Sequence, residues 1–320
     1  MNPDLFLLDL HRKPEALGAL AMHLREGNPW SGLSSTLVRV VLLGMGSSAY
    51  AAGVAAARMR ARGLVAVAEL ASSDLLPSWG PETLVVAISA SGGSRETLDA
   101  LGRVQDGPVT VALTNVPGSP ITVRCEHTVL MEAGPEDGGV ACRSFQHTLA
   151  LLMALEAHLT GAPLEPLVAI VEKAAAASAD LLSGLEEWLP VVTPLLAGPD
   201  GTHLAAPARR LSSALQGALM LREGPRCFAV GCEAGDWAHV DVYLTKNTAY
   251  RLLVFAGSAW DDGILEWTRP RKTPVVAVGG EFPDAAYVLR YPHDDVDDVR
   301  LLTEVLVPEL VAAHLWLDQQ

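Results

Sequence analysis

Two short segments of this 320-residue chain carry residue types able to hold an anion without help from a cation. The first is Gly44-Met45-Gly46-Ser47-Ser48-Ala49 and the second is Ser89-Ala90-Ser91-Gly92-Gly93-Ser94-Arg95-Glu96-Thr97. Glycines let a backbone approach a ligand, serine hydroxyls donate, and a helix starting at such a segment adds unpaired N–H groups and a partial positive charge. The chemistry implied is phosphate capture by neutral donors. A helix start with a serine N-cap accounts for one such loop, but two in consecutive turns favour a shared phosphate site. A rival uses the same letters: Gly44-x-Gly46-x-x-Ala49 fits a dinucleotide fingerprint, with Glu69 placed to meet a ribose hydroxyl. That rival leaves the serines at 89–94 without a task.

Neutral donors suit the composition. There are 37 acidic and 23 basic residues, a net charge of −14, and only four lysines: Lys13, Lys173, Lys246 and Lys272. A partner made of repeating phosphates needs a basic face, so neither nucleic acid nor an anionic membrane surface is expected. The mean hydropathy of +0.26 and the uncharged run between Arg39 and Arg58 raise the question of a membrane span. Gly44-Met45-Gly46-Ser47-Ser48 sits in the middle of that run, and a buried strand, a loop and a helix account for it better. Met1-Asn2-Pro3-Asp4 lacks the basic region of a signal peptide. Cys125, Cys142, Cys227 and Cys232 form no CxxC pair, so they read as reduced thiols of a cytoplasmic protein, and no metal is expected. His293 to Asp298 reads as a solvated helix start, lacking the glycine and final glutamate of a calcium loop.

The elements that must position the two loops follow from periodicity. Apolar β-branched runs alternate with helix-like stretches, the pattern of parallel sheets covered on both faces. Strands are predicted at Val38 to Leu43, Leu64 to Ala68, Leu84 to Ser89, Val109 to Thr114 and His127 to Met131, with helices starting near Ser48, Ser94 and Ser144. Leu164 to Leu189 reads as one long bridging helix. The order then repeats more faintly: strand Thr202 to Ala206, helix Leu211 to Arg222, and strands at Cys227 to Val230, Tyr250 to Phe255 and Pro274 to Val278. The expected division is a first domain over 1–160, a connecting helix over 161–190 and a second domain over 191–320.

Ser89-x-Ser91-Gly92 followed by Glu96-Thr97 resembles the phosphosugar loop of the sugar isomerase (SIS) domain family. Gly46-Ser47-Ser48, Leu113-Thr114-Asn115, Gly118-Ser119-Pro120, Ala133-Gly134-Pro135-Glu136 and Arg143-Ser144-Phe145 stand around it in the family's order and spacing. Lys13-Pro14-Glu15-Ala16-Leu17 looks like the family's opening helix, and the resemblance covers most of residues 8–255. It implies an α/β fold of two tandem doubly wound SIS domains, each a five-stranded parallel sheet between helices, assembled as a homodimer. Carried over by position, Ser47, Ser48, Ser89, Ser91 and Ser94 would hold the phosphate of a sugar phosphate, with Gly46 beside them. Ala90, Gly93 and Ser94 stand where the family often has Gln, Glu and Thr.

In the second half, Ala214 to Glu223 resembles the family's catalytic helix, and Gly235-Asp236-Trp237-Ala238-His239 its catalytic loop. Positions 216, 220 and 223 share one helix face. The enzyme pattern there is Glu, Lys, Glu, whereas this chain has Gln216, Met220 and Glu223. Resemblance makes Glu223 a proton-transfer base and His239 a ring-opening or leaving-group acid, with Gln216 and Met220 as pocket residues. No cofactor is implied, because a carboxylate and an imidazole suffice to move protons. The reactions implied are aldose-ketose isomerisation, or deglycation or deamination of an amino-sugar phosphate. Amide-nitrogen transfer from glutamine is not expected: Ala206-Pro207-Ala208 and Phe228-Ala229-Val230 replace Gly-Arg-Gly and His-Ala-Glu, and no glutaminase segment or terminal catalytic lysine is seen. The alternative is a sugar-phosphate-binding protein of the same family, a sensor or structural protein with reduced catalysis and a degenerate second domain.

Overall fold

The computed structural model describes residues 1–37, 39–104 and 107–320. In chain order the elements are α1 (Pro3–His11), α2 (Lys13–Glu26), β1 (Arg39–Gly44), α3 (Ser47–Ala61), β2 (Val65–Leu70), β3 (Thr83–Ile88), α4 (Arg95–Arg103), β4 (Val109–Thr114), α5 (Pro120–Arg124), β5 (His127–Leu130) and α6 (Arg143–Thr160). There follow α7 (Glu165–Ser183), α8 (Leu185–Leu196), β6 (Thr202–Ala206), α9 (Leu211–Glu223), β7 (Ala229–Glu233), α10 (Ala234–Trp237), β8 (Leu252–Phe255), α11 (Asp261–Arg271), β9 (Val275–Val278), β10 (Tyr287–Leu289), α12 (Asp297–Thr303) and α13 (Leu306–Leu317). The expected start of the first strand, Val38, lies outside the described residues. The single helix expected over Leu164 to Leu189 is two helices, parted at Gly184, which is the N-cap of α8. The strand expected at Cys227 to Val230 begins at Ala229, and β10, only three residues long, was not anticipated by any apolar run.

Two five-stranded parallel sheets result, ordered β2-β1-β3-β4-β5 and β10-β9-β8-β6-β7. Each grows first to one side of its opening strand and then to the other, so the two share one topology. Contacts divide the chain into two units: Ala16–Pro135 with Ala141–Glu172, and Met1–Glu15 with Glu136–Val140 and Lys173–Gln320. These bounds differ from cuts at 160 and 190, because the first fifteen residues cluster with the C-terminal sheet.

In the N-terminal unit, β1 and β3 are buried along almost their whole length, as strands covered on both faces must be. Val41, Leu43 and Val85 pack against Ala100 of α4 on one face. Side chains alternate along a strand, so α3, which packs on β1, β2 and α6, takes the other face.

In the C-terminal unit, α9 and α13 pack together. A Cβ at Gly217 would meet Leu204 and Pro308 at 2.7 Å, and one at Gly231 would meet the α9 backbone at 2.5 Å, so this helix lies close on the sheet. The opposite face is covered by α10, by the 3-10 segment Asp241–Lys246 and by α11, around a core of Ala205, Trp237, Val242, Tyr250, Val254 and Ile264. Helix α1 joins this unit through Phe6, whose ring lies 6.2 Å from that of Trp316, and through the Gly138 N–H, which donates to Asp9 at 2.8 Å. Lys13 donates to Glu309 with both side chains fully buried. Among the described residues no helix is long and apolar enough to cross a membrane.

A buried pair costs most when one partner is removed, since the other is left as an uncompensated charge. Lys13→Met is therefore expected to lower unfolding free energy by about 3–5 kcal/mol. Adding Glu309→Gln should recover much of that loss, as read from urea midpoints.

Candidate active site

The strand order fixes where a ligand can approach the N-terminal unit. β1 and β3 are neighbours in register, Leu43 beside Ala87, so the segments leaving their carboxyl ends start side by side. The helices that follow go to opposite faces, which opens a crevice at this switch point. Both serine loops lie at its mouth. Gly44 allows α3 to start close to the strand, since a Cβ there would meet that of Ser48 at 2.8 Å. Gly46 is the N-cap of α3, with φ 51°, and gives the helix no side-chain cap; its first turn has no acidic residue. The Ser48 N–H donates back to Met45 O at 3.1 Å, and with no side-chain cap the N-terminus of α3 presents the positive end of its dipole to the crevice. The half-buried Ser47 and Ser48 stand beside it, as the first two residues of α3.

The second loop is tightly folded. The Gly92 N–H donates to Ser89 O at 3.0 Å, Gly93 N–H donates to Ser91 Oγ at 3.3 Å, and Ser89 is buried while Ser91 is exposed. Gly92 has φ 66°, and a Cβ there would land on Ser119. Ser94 has a different employment from the other serines. It is the N-cap of α4, accepting from Thr97 N–H at 3.3 Å and donating to Glu96 at 3.1 Å. Its hydroxyl is committed to starting the helix and holding Glu96. That carboxyl sits below its ordinary value because backbone N–H and Ser94 bonds favour its charged form.

The neighbouring turns brace this crevice. Asn115, just past β4, donates from its own N–H to Ala90 O at 3.0 Å and from its side chain to Gly134 O at 2.7 Å; its carbonyl accepts from Ala133 N–H at 2.9 Å. Ser119 is buried under Gly92 with a hydroxyl that has no partner among the described residues. Reading along the chain singled out neither residue for a site. The signal was the position of Thr114-Asn115 at the end of β4, beside the serine loop of β3.

In the C-terminal unit Gln216 and Met220 are fully buried and bonded to each other, Gln216 Nε2 donating to Met220 Sδ at 3.6 Å. Glu223 ends α9 half-buried, and burial raises its pKa against the opposing pull of Arg222. His239 is exposed, and its backbone N–H donates to Asp236 O at 2.8 Å. It lies between α10 and the 3-10 segment, which cover one face of the sheet, whereas Glu223 belongs to the helix on the other face. Within one chain the sheet separates the two, and neither is brought to the other. Among the described residues no group of three His, Cys, Asp or Glu side chains is arranged to hold a metal ion.

Residues 34–157, which contain this crevice and all five serines, match the SIS domain family. Over that segment the chain is similar to an SIS domain. It is 28% identical over 261 residues to the isomerizing glutamine-fructose-6-phosphate aminotransferase of Methanothermobacter thermautotrophicus, covering 74% of this chain and 41% of that protein. The chain thus spans less than half the length of that curated relative. Its fold is similar to the C-terminal domain of glucosamine-fructose-6-phosphate aminotransferase from Francisella tularensis, with a TM-score of 0.82 at 17% identity, covering 98% of this chain and 95% of that one. It is also similar to tagatose-6-phosphate ketose/aldose isomerase from Escherichia coli, with a TM-score of 0.79 at 15% identity over 98% and 93% of the two chains. These two likenesses are of fold, and they extend over both sheets.

The SIS loop depends on Gly92. Gly92→Ala is expected to cost about 1–3 kcal/mol, from a left-handed backbone and the clash with Ser119. Combining it with Ser119→Gly should return the steric part and leave the backbone part, as measured by urea unfolding of both variants.

Proposed function

We propose that this chain binds a phosphorylated sugar or amino sugar and moves protons on it, either interconverting aldose and ketose or removing an amine by deglycation or deamination. The observation that carries this reading is the pair of serine loops side by side at the switch point, next to the uncapped N-terminus of α3. Ser47, Ser48, Ser89 and Ser91 hold the phosphate with their hydroxyls and nearby amides, and Ser94 positions the second loop as the cap of α4. A dinucleotide would use the first loop only. The C-terminal sheet, which shares the strand order of the first, is read as a second and degenerate SIS domain.

The acid-base pair is Glu223 and His239. A carboxyl partly withdrawn from water holds its proton to a higher pH, which makes the carboxylate a stronger base toward a carbon-bound hydrogen. Imidazolium can deliver a proton to a ring oxygen or a departing amine. Because these residues lie on opposite faces of one sheet, a pocket that uses both takes one from each of two copies, and a homodimer is the assembly proposed. Val240, Tyr243 and Leu244 beside His239 are exposed, an apolar surface of the kind a second copy covers. The setting is that of a cytoplasmic metabolic protein, with a small sugar phosphate as partner and no cofactor. The second reading, a binding protein with reduced catalysis, is favoured by Gln216 and Met220, which stand where the family's enzymes have Glu and Lys and are joined by the bond from Gln216 Nε2 to Met220 Sδ.

Four measurements check these readings. Fructose 6-phosphate or glucosamine 6-phosphate should raise the melting temperature, NAD should not, and Ser47→Ala with Ser89→Ala should abolish the rise; a response to NAD alone refutes the assignment. In heavy water, proton exchange at C1 or C2 of a bound sugar phosphate should fall at least ~100-fold in Glu223→Gln and in His239→Ala, the usual range for a lost general acid or base. Mixing the two inactive variants should restore about a quarter of the activity if each site draws on both copies of a symmetric dimer. The raised carboxyl has a definite sign: kcat/KM should rise with pH through a limb above the ordinary carboxylate value of 4.5, and Glu223→Gln should lack that limb.

A further inference from the structure

A second cavity lies in the C-terminal unit at the opposite edge of the sheet from its own switch point. It opens beyond the amino ends of β8 and β9, encloses about 260 Å³, and is lined by Arg251, Arg271, Lys272 and Thr273 with Thr245 and Thr248. Arg251 directly precedes β8. Its Nη1 donates to Pro194 O at 2.9 Å and Leu195 O at 3.1 Å, which anchors the guanidinium, while its Nε is buried without a partner. Arg271 donates to Trp267 O at 2.8 Å and lies 4.7 Å over the Trp267 ring. Lys272 ends α11 in the left-handed region, φ 51° and ψ 36°, where a glycine is the usual occupant.

Most arginines of this acidic protein face a carboxylate, as Arg269 one turn away faces Asp284 at 2.5 Å. Arg251, Arg271 and Lys272 face none among the described residues. The acid at the cavity's rim, Asp200, is used by the Ala249 N–H, which donates to it at 2.7 Å. A helix C-terminus attracts cations, and that accounts for 269, 271 and 272. It does not account for Arg251, which comes from a different element into the same cavity. Thr245 and Thr248 donate to Val242 O at 2.6 Å and Leu244 O at 2.8 Å, and Thr273 lines the same cavity.

From this convergence we infer that the cavity is a binding site for the phosphate group of a small phosphorylated metabolite, distinct from the serine crevice. Two guanidinium groups and an ammonium supply the charge and directed donors that a phosphate dianion takes. The volume is below the range of about 300–1,000 Å³ for whole-ligand pockets, so it holds a phosphate and little more. The remainder of a ligand has room next door. A cavity of about 420 Å³ shares Lys272, Thr273 and Pro274 and is otherwise walled partly by Leu195, Leu265 and Phe282.

Inorganic phosphate is the probe, titrated by calorimetry at low ionic strength into the full chain, into Ser47→Ala/Ser89→Ala/Ser91→Ala and into Arg271→Gln/Lys272→Gly. Lys272→Gly also relieves the left-handed backbone, so folding is preserved while the cation is lost. The serine variant should keep a phosphate-binding step, and adding Arg271→Gln/Lys272→Gly to it should weaken that step about tenfold or more. An isotherm unchanged by Arg271→Gln/Lys272→Gly, or no phosphate binding in the serine variant, overturns the inference. Failure of the serine crevice would show separately, as sugar-phosphate binding unaffected by the three serine substitutions.

Discussion

A right-handed crossover can return a chain to only one side of a parallel strand, so a sheet that grows both ways from β1 must part its helices beside that strand. This constraint puts Gly44 to Ser48 and Ser89 to Ser94 next to each other although some forty residues separate them, as the pairing of Leu43 with Ala87 records. It also explains why the loops use glycine where they do. Gly44 lets α3 start at the strand end, and Gly92 turns above Ser119 in a space that admits no side chain. The remaining loops, through Asn115 and its bonds to the turns after β3 and β5, keep that geometry from collapsing.

The scarcity of lysine acquires meaning in this setting. An acidic surface repels phosphate at a distance, so a site made of hydroxyls and amides must act at contact range, where oriented dipoles suffice. Three of the four lysines show separate fates. Lys13 is buried against Glu309, Lys246 lies over the rings of Tyr243 and Trp267, and Lys272 caps a helix in a conformation unusual for its type. None of the four belongs to the serine loops in sequence.

Much of this was legible in the chain. The central strands β1, β3 and β4 are buried on both faces and so appear as unbroken apolar runs. β10 is three residues at a sheet edge, too short for periodicity to mark. The break at Gly184 was hidden because the residues next to it, up to Ser183 and from Leu185 to Leu189, include no proline, and a glycine inside such a run costs only about 1 kcal/mol. The serine loops were visible by composition, but a hydroxyl's partner is not, and Ser94 turned out to serve its own helix. Glu223 and His239 were singled out by the resemblance of their segments to the SIS family. Their separation by the sheet was not, because which face an element covers depends on alternation along β7 and on where the chain returns.

The fully buried bond between Lys13 and Glu309 spans 296 residues of sequence. During synthesis the first helix emerges long before the helix that receives it, so the ammonium and the apolar face of α1 stay unsatisfied until α13 has been made. The N-terminal sheet, whose contacts are nearer in sequence, can close earlier. Assembly is therefore ordered in time, with α1 and α13 completing one unit together, and a chain that lacks α13 exposes Phe6 and Leu10 as a surface for chaperones or for misassociation.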